Sequence, residues 1–170
     1  MAGFVPIYGA SVDVFGANDL DGLASSATWL AGRASAAVTN TGSNASNCVH
    51  LAGRFKANNT APTAGQIQVW VGGVLKDTPL YPDVFDGTAS AKTVTSADIR
   101  NSIMRNVATI ITDATANRVY EFAPVGLEEF FNGVVPKKWW VFVTHSMGQA
   151  LNTTAGDGGQ CWYTPVTFPA

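Results

Sequence analysis

Few side chains in this sequence are of a kind that transforms a substrate, and their spacing decides what they could do. There are two histidines, His50 and His145. Both fall in stretches that read as β-strands, where a histidine is ordinarily a hydrogen-bonded core or rim residue rather than a general base. No nucleophile is placed by spacing beside either. The Gly-x-Ser-x-Gly elbow, the His-Glu-x-x-His zinc helix and a glycine loop leading into a nucleotide-binding helix are all missing. Cys48 and Cys161 lie far apart, and neither has a second cysteine or a histidine at the usual metal-ligand spacing, so both are expected as buried free thiols.

Carboxylates offer two further possibilities. Asp77, Asp83 and Asp86 share one stretch, and several oxygen ligands are what a calcium ion requires. Yet Pro-Asp and Asp-Gly dipeptides form turns, and the turn is the preferred reading of Tyr81-Pro82-Asp83-Val84-Phe85-Asp86-Gly87. Glu128 and Glu129 are adjacent, so their side chains diverge and do not make an acid–base pair. Five tryptophans, at 29, 70, 139, 140 and 162, could stack on sugars. Within or beside strands their ordinary role is packing. The inventory points away from an enzyme, and no catalytic residue, cofactor or metal is expected.

The elements that position these residues are short apolar runs rich in Val, Ile, Thr and aromatics, separated by Gly, Pro, Asn and Asp. That is the pattern of many strands. Strands are expected over residues 26–38, 47–57, 65–76, 103–112, 117–123, 139–146 and 160–168. In the clearest, Ile67, Val69 and Val71 share one face while Gln66, Gln68 and Trp70 share the other. The run Trp139-Trp140-Val141-Phe142-Val143-Thr144-His145 is apolar on both faces at its start, so it is either a central strand covered on both sides or a subunit contact. Its two indoles must point to opposite faces, which leaves one of them open to a partner.

Two helical pieces are expected. One runs from an N-cap at Ser96 to about Met104, with Asp98 in its first turn. The other is a single turn, Leu127 to Phe131, bracketed by Gly126 and Gly133 and stopped by Pro136. Gly72-Gly73 and Gly156-Asp157-Gly158-Gly159 read as turns. Residues 1–22 alternate little and read as an N-terminal arm or an outer strand, leaving 23–170 as one β-sandwich domain. The fold class is all-β, a two-sheet antiparallel sandwich with jelly-roll closure and one or two short helices in loops.

Composition sets the surface. Asp, Glu, Lys and Arg make up only 13% of the 170 residues, about half the roughly 25% usual in a soluble domain. Much of the exterior must therefore be Ser, Thr, Asn, Gly and Ala, which cost far less to desolvate against another protein than ions do. Ten basic and twelve acidic residues supply no field of one sign, which argues against a nucleic-acid partner. No run spans a membrane. The start Met-Ala-Gly-Phe lacks the basic-then-apolar pattern of a signal peptide, so synthesis in a cytoplasm is expected.

Several segments resemble small structural proteins of tailed bacteriophages. They are Ser25-Ser26-Ala27-Thr28-Trp29-Leu30-Ala31-Gly32-Arg33, Ala64-Gly65-Gln66-Ile67-Gln68-Val69-Trp70-Val71, the Tyr81–Gly87 stretch, and Phe130-Phe131-Asn132-Gly133-Val134-Val135-Pro136-Lys137-Lys138-Trp139-Trp140 running into Val143-Thr144-His145. The similarity is to capsid cement, or decoration, proteins with a jelly-roll core. It implies a non-enzymatic protein on the virion exterior, bound to the major capsid protein of the phage head and bridging capsomers, with copies joined as a homodimer or homotrimer. The residues expected at partner contacts are Phe4, Ile7, Tyr8 and Phe15 from the N-terminal segment, Tyr81 and Phe85 from the loop, and Trp140. The alternatives are a carbohydrate- or receptor-binding virion module on the same scaffold, and a tail or head-completion subunit.

Overall fold

Side chains alternate across a strand, so a strand apolar on both faces needs two covers, and this chain supplies both. The computed structural model describes residues 5–42 and 45–168. Among the described residues eleven strands appear in chain order: β1 (Ile7–Tyr8), β2 (Val12–Asp13), β3 (Ala31–Ala34), β4 (Val38–Thr39), β5 (Cys48–Lys56), β6 (Gly65–Val74), β7 (Ser90–Thr93), β8 (Met104–Thr112), β9 (Val119–Gly126), β10 (Lys138–His145) and β11 (Gly159–Thr167). A helix, α1 (Ala97–Ile103), precedes β8, and a 3-10 turn (Leu127–Phe131) follows β9.

The strands form two antiparallel sheets. One is ordered β1-β11-β5-β9 with β2 also on β11; the other is β7-β3-β10-β6-β8 with β4 also on β10. Taking β1/β2 and β3/β4 as broken single strands, the first pairs with the last (β11), the second with the penultimate (β10), β5 with β9 and β6 with β8. That nesting is a long hairpin rolled onto itself, the winding of a jelly roll. Strand β7 is an insertion beside β3. Residues 7–13 therefore form an outer strand at the sheet edge.

Between the sheets lies the main core. Val49, Leu51, Phe55 and Cys161 from the first sheet face Ile67, Val69, Val71, Trp139, Val141 and Val143 from the second. The Trp139 ring meets Tyr163 edge-on at 5.2 Å between centroids. Val14, Phe15 and Leu20 close this core from the N-terminal side. The expected facing of Ile67, Val69 and Val71 is seen.

On the outer side of the second sheet a smaller core gathers Trp70, Phe85, Val94, Met104, Trp140 and Phe142. Its cover is α1 and the loop after β6. Ser96 caps α1, its hydroxyl accepting from the Ile99 amide at 3.2 Å. Arg100 is 7% exposed; its guanidinium lies 4.3 Å from the Trp70 ring centroid and donates to the Trp29 carbonyl at 2.9 Å. An aromatic face and a carbonyl offset part of the cost of burying that charge. The chain itself thus covers β10 on both faces.

Three expectations about local structure are corrected. The stretch 26–30 is turn, with Trp29 at φ 54°, and the strand begins only at Ala31. Residues 90–93, too small and polar to announce a strand, are one. Gly72 and Gly73 lie inside β6, opposite Trp140 and Trp139, because neither has room for a side chain: a Cβ on Gly72 would sit 2.2 Å from Trp140 Cζ2, and one on Gly73 would sit 2.5 Å from Pro136 Cγ. Gly72→Ala should lower stability by about 1–3 kcal/mol, the usual range for overpacking. In Trp140→Phe the same alanine should cost measurably less, since the two sites touch. Urea unfolding of the single and double variants reads both, and equal midpoints for Gly72→Ala and the unmodified protein would overturn the packing argument.

Candidate functional site

Two surface features and one internal group carry what chemistry the described residues bring together. The first feature is the edge formed by β1 and β2. Val5, Ile7, Tyr8 and Val12 are between 44% and 68% exposed, and Phe168, just beyond β11, is 55% exposed. Ile7 pairs with Thr167 and Tyr8 with Val166, so these side chains stand along the last strand pair of the sheet. Among the described residues no strand lies beyond β1. An edge strand presents unpaired backbone groups, and here it presents apolar side chains with them.

The residues expected at partner contacts separate on this basis. Ile7 and Tyr8 are exposed at the edge. Phe4 lies outside the described residues. Phe15, Phe85 and Trp140 are 3%, 6% and 2% exposed, so their contacts are within the chain, and the expectation that they meet a neighbour is corrected. Phe15 plugs the main core. Phe85 and Trp140 pack on each other with ring centroids 5.3 Å apart. Tyr81 is half-buried edge-on against Trp140 at 5.6 Å. The loop read as a surface feature is the lid of the second core.

Asp77, Asp83 and Asp86 are engaged separately and do not converge. Asp77 accepts from Lys137 at 3.0 Å, Asp83 from the Thr95 hydroxyl and amide, and Asp86 from Thr88 and from Lys92 at 2.7 Å. Those bonds hold the Asp83 carboxyl below its ordinary range, chiefly through Thr95, and that of Asp86 likewise, chiefly through Lys92. The turn reading describes them. Of the five tryptophans, Trp70, Trp139 and Trp140 are buried. Trp162 is half-buried and lines a shallow hollow with Ala52, Phe122 and Pro124.

The second feature lies on the outer face of the first sheet. Cys48 and His50 are two residues apart on β5, so both project outward while Val49 and Leu51 point into the core. Glu128, from the 3-10 turn, reaches over them. Its Oε1 accepts from the Cys48 thiol at 2.9 Å and its Oε2 from the Val49 amide at 3.2 Å. One ligand-type atom from each of Cys48, His50 and Glu128 lies within 4.8 Å of the others. Tyr8 meets the His50 ring edge-on at 6.1 Å. Desolvation, then the hydrogen bond and charge of Glu128, push the Cys48 thiol up to about 12; burial alone pushes Cys161 up as well. Both cysteines are free, but Cys48 is only half-buried.

The missed signal here was local. Cys-x-His within a strand puts sulfur and imidazole on one face, which is itself a ligand spacing. The carboxylate comes from a segment remote in sequence and could not be read from it.

His145, by contrast, is sealed in the core at 0% exposure. The Met147 amide points at Nδ1 at 3.4 Å, and Nε2 lies 2.8 Å from the Leu23 carbonyl. Neutral imidazole with the proton on Nε2 satisfies both partners. Desolvation holds its pKa below the ordinary value of 6.5. It ties the end of β10 to the segment before β3. Among the described residues no helix is long and apolar enough to cross a membrane. No family model, no curated protein and no solved structure matches the chain.

Two measurements check this chemistry. Because His145 is held neutral in the folded state and titrates near 6.5 when unfolded, protons favour unfolding once pH drops below that value. Stability should therefore fall from pH 6.5 downward until the depressed folded pKa is reached, with a slope of at most about 1.4 kcal/mol per pH unit. His145→Gln should remove this component, and urea midpoints from pH 7.5 to 4.5 report it. Iodoacetamide at pH 8 should modify Cys48 at least about a hundredfold more slowly in the folded than in the urea-unfolded protein, since each pKa unit of elevation costs tenfold in thiolate. Equal rates would remove the protonated thiol from the site.

Proposed function

We propose that this protein is a non-enzymatic virion structural component, a cement protein that binds the outside of a bacteriophage head and bridges neighbouring copies of the major capsid protein. The observation that carries the reading is the apolar edge at β1 and β2. It places Ile7 and Tyr8 in solvent beside unpaired backbone, on a molecule with unusually few charges to desolvate. Burying such an edge against another protein removes apolar area from water and completes backbone hydrogen bonds together. On a lattice of repeated sites, many modest contacts act in concert through high effective concentration. A second copy of the chain could use the same edge, which fits a homodimer or homotrimer on the capsid.

The resemblance of the 25–33, 64–71, 81–87 and 130–145 segments to phage decoration proteins supports this reading, as does the winding of the strands. A carbohydrate- or receptor-binding role retains one half-exposed surface ring at a hollow, Trp162. Co-sedimentation with heads of the parent phage is the test. The protein should pellet with heads, and the double variant Ile7→Asp/Tyr8→Asp should bind at least about tenfold more weakly while its urea midpoint changes little, as expected for exposed positions. No pelleting, or glycan-array binding abolished by Trp162→Ala, would overturn the proposal.

A further inference from the structure

We infer that Cys48, His50 and Glu128 form a binding site for one zinc-class divalent ion on the outer face of the first sheet. The ligand set is mixed sulfur, nitrogen and oxygen. Thiolate and imidazole select zinc-like transition metals over calcium and magnesium, which take oxygen alone. Two anionic ligands, one thiolate and one carboxylate, would balance the charge of the dication.

Geometry supports the set. With zinc bonds of about 2.3 Å to sulfur and 2.0–2.2 Å to nitrogen or oxygen, neighbouring ligand atoms of a tetrahedron lie about 3.5 Å apart. The sulfur–carboxylate distance is 2.9 Å and the widest spacing in the set is within 4.8 Å. The widest spacing thus exceeds the tetrahedral value by no more than about 1.3 Å. Three protein ligands leave a fourth position for water.

The carboxylate is held in place independently of any ion. Its Oε2 takes the Val49 amide, and Gly126, which faces His50 in the register between β9 and β5, leaves the space it occupies. A Cβ on Gly126 would lie 2.6 Å from Glu128 Oε1. Among the described residues the His50 ring has no hydrogen-bond partner and is steadied only by the edge of Tyr8. A thiol is a weak donor, so its pairing with the carboxylate is readily exchanged for a metal bond. On binding, the Cys48 S–H proton passes to solvent and sulfur donates its electron pair to the ion; nothing is oxidised or reduced.

The test uses the full chain, freed of metal with a chelator, and cobalt(II) as the optical probe. One cobalt per chain should bind, giving the near-ultraviolet sulfur-to-cobalt charge-transfer band of a thiolate ligand, and zinc should displace it stoichiometrically. Cys48→Ser should abolish the band. His50→Gln and Glu128→Gln should weaken zinc binding at least about tenfold each, with thermal unfolding of the apo forms used to establish that every variant is folded. Absence of the band, its survival in Cys48→Ser, or unmodified zinc affinity in both His50→Gln and Glu128→Gln would overturn the site.

Discussion

The rest of the architecture depends on one strand, β10, whose residues from Trp139 to His145 are all buried. Its odd-numbered side chains fill the space between the sheets and its even-numbered ones fill the space outside the second sheet. Neither cover is optional, because leaving Trp140 and Phe142 in water would forfeit about 1.5–3 kcal/mol for each large side chain. The loop after β6 and α1 make the second cover. Gly72 follows from the same demand, since the neighbouring strand must give up its side chain where the Trp140 indole lies.

This arrangement explains how so weakly charged a sequence uses its apolar residues. Two apolar layers share a single strand, and the aromatic residues that might have been surface features are spent inside. The surface is left with small neutral residues, a few ion pairs such as Lys137–Asp77 at 3.0 Å, an apolar edge at β1 and other exposed apolar side chains such as Leu80 and Ile111. Exposed pairs of that kind contribute little each, so stability rests on the two cores. The outer face of the first sheet escapes a covering layer, and for that reason the cysteine, histidine and glutamate gathered there remain within reach of solvent.

Much of this was legible in the residues. The alternation of Ile67, Val69 and Val71, the cap at Ser96, and the single turn at Leu127–Phe131 are local signals, and the structure reproduces them because tertiary packing reinforces local preference there. The two-faced character of Trp139-Trp140 was equally plain. What could not be read was which partner covered it: strand periodicity distinguishes buried from exposed faces and says nothing about whether the cover comes from the same chain. Hence the sequence leaves Phe85 and Trp140 open to an outside partner, whereas they pack inside the chain. Ser90–Thr93 forms a strand only because β3 offers a free edge. The 3-10 turn delivers Glu128 to Cys48 through the pairing of β9 with β5, a contact made by topology alone.

The nested pairing has a kinetic corollary. Ile7 hydrogen-bonds in register with Thr167, and β11 is wedged between β1 and β5, so the first sheet stays incomplete until β11 has been synthesised. Until β11 arrives, β5 and the N-terminal strand wait with open flanks. Such long-range closure is slow, and the nascent chain passes through an interval in which chaperone capture competes with strand exchange between neighbouring copies.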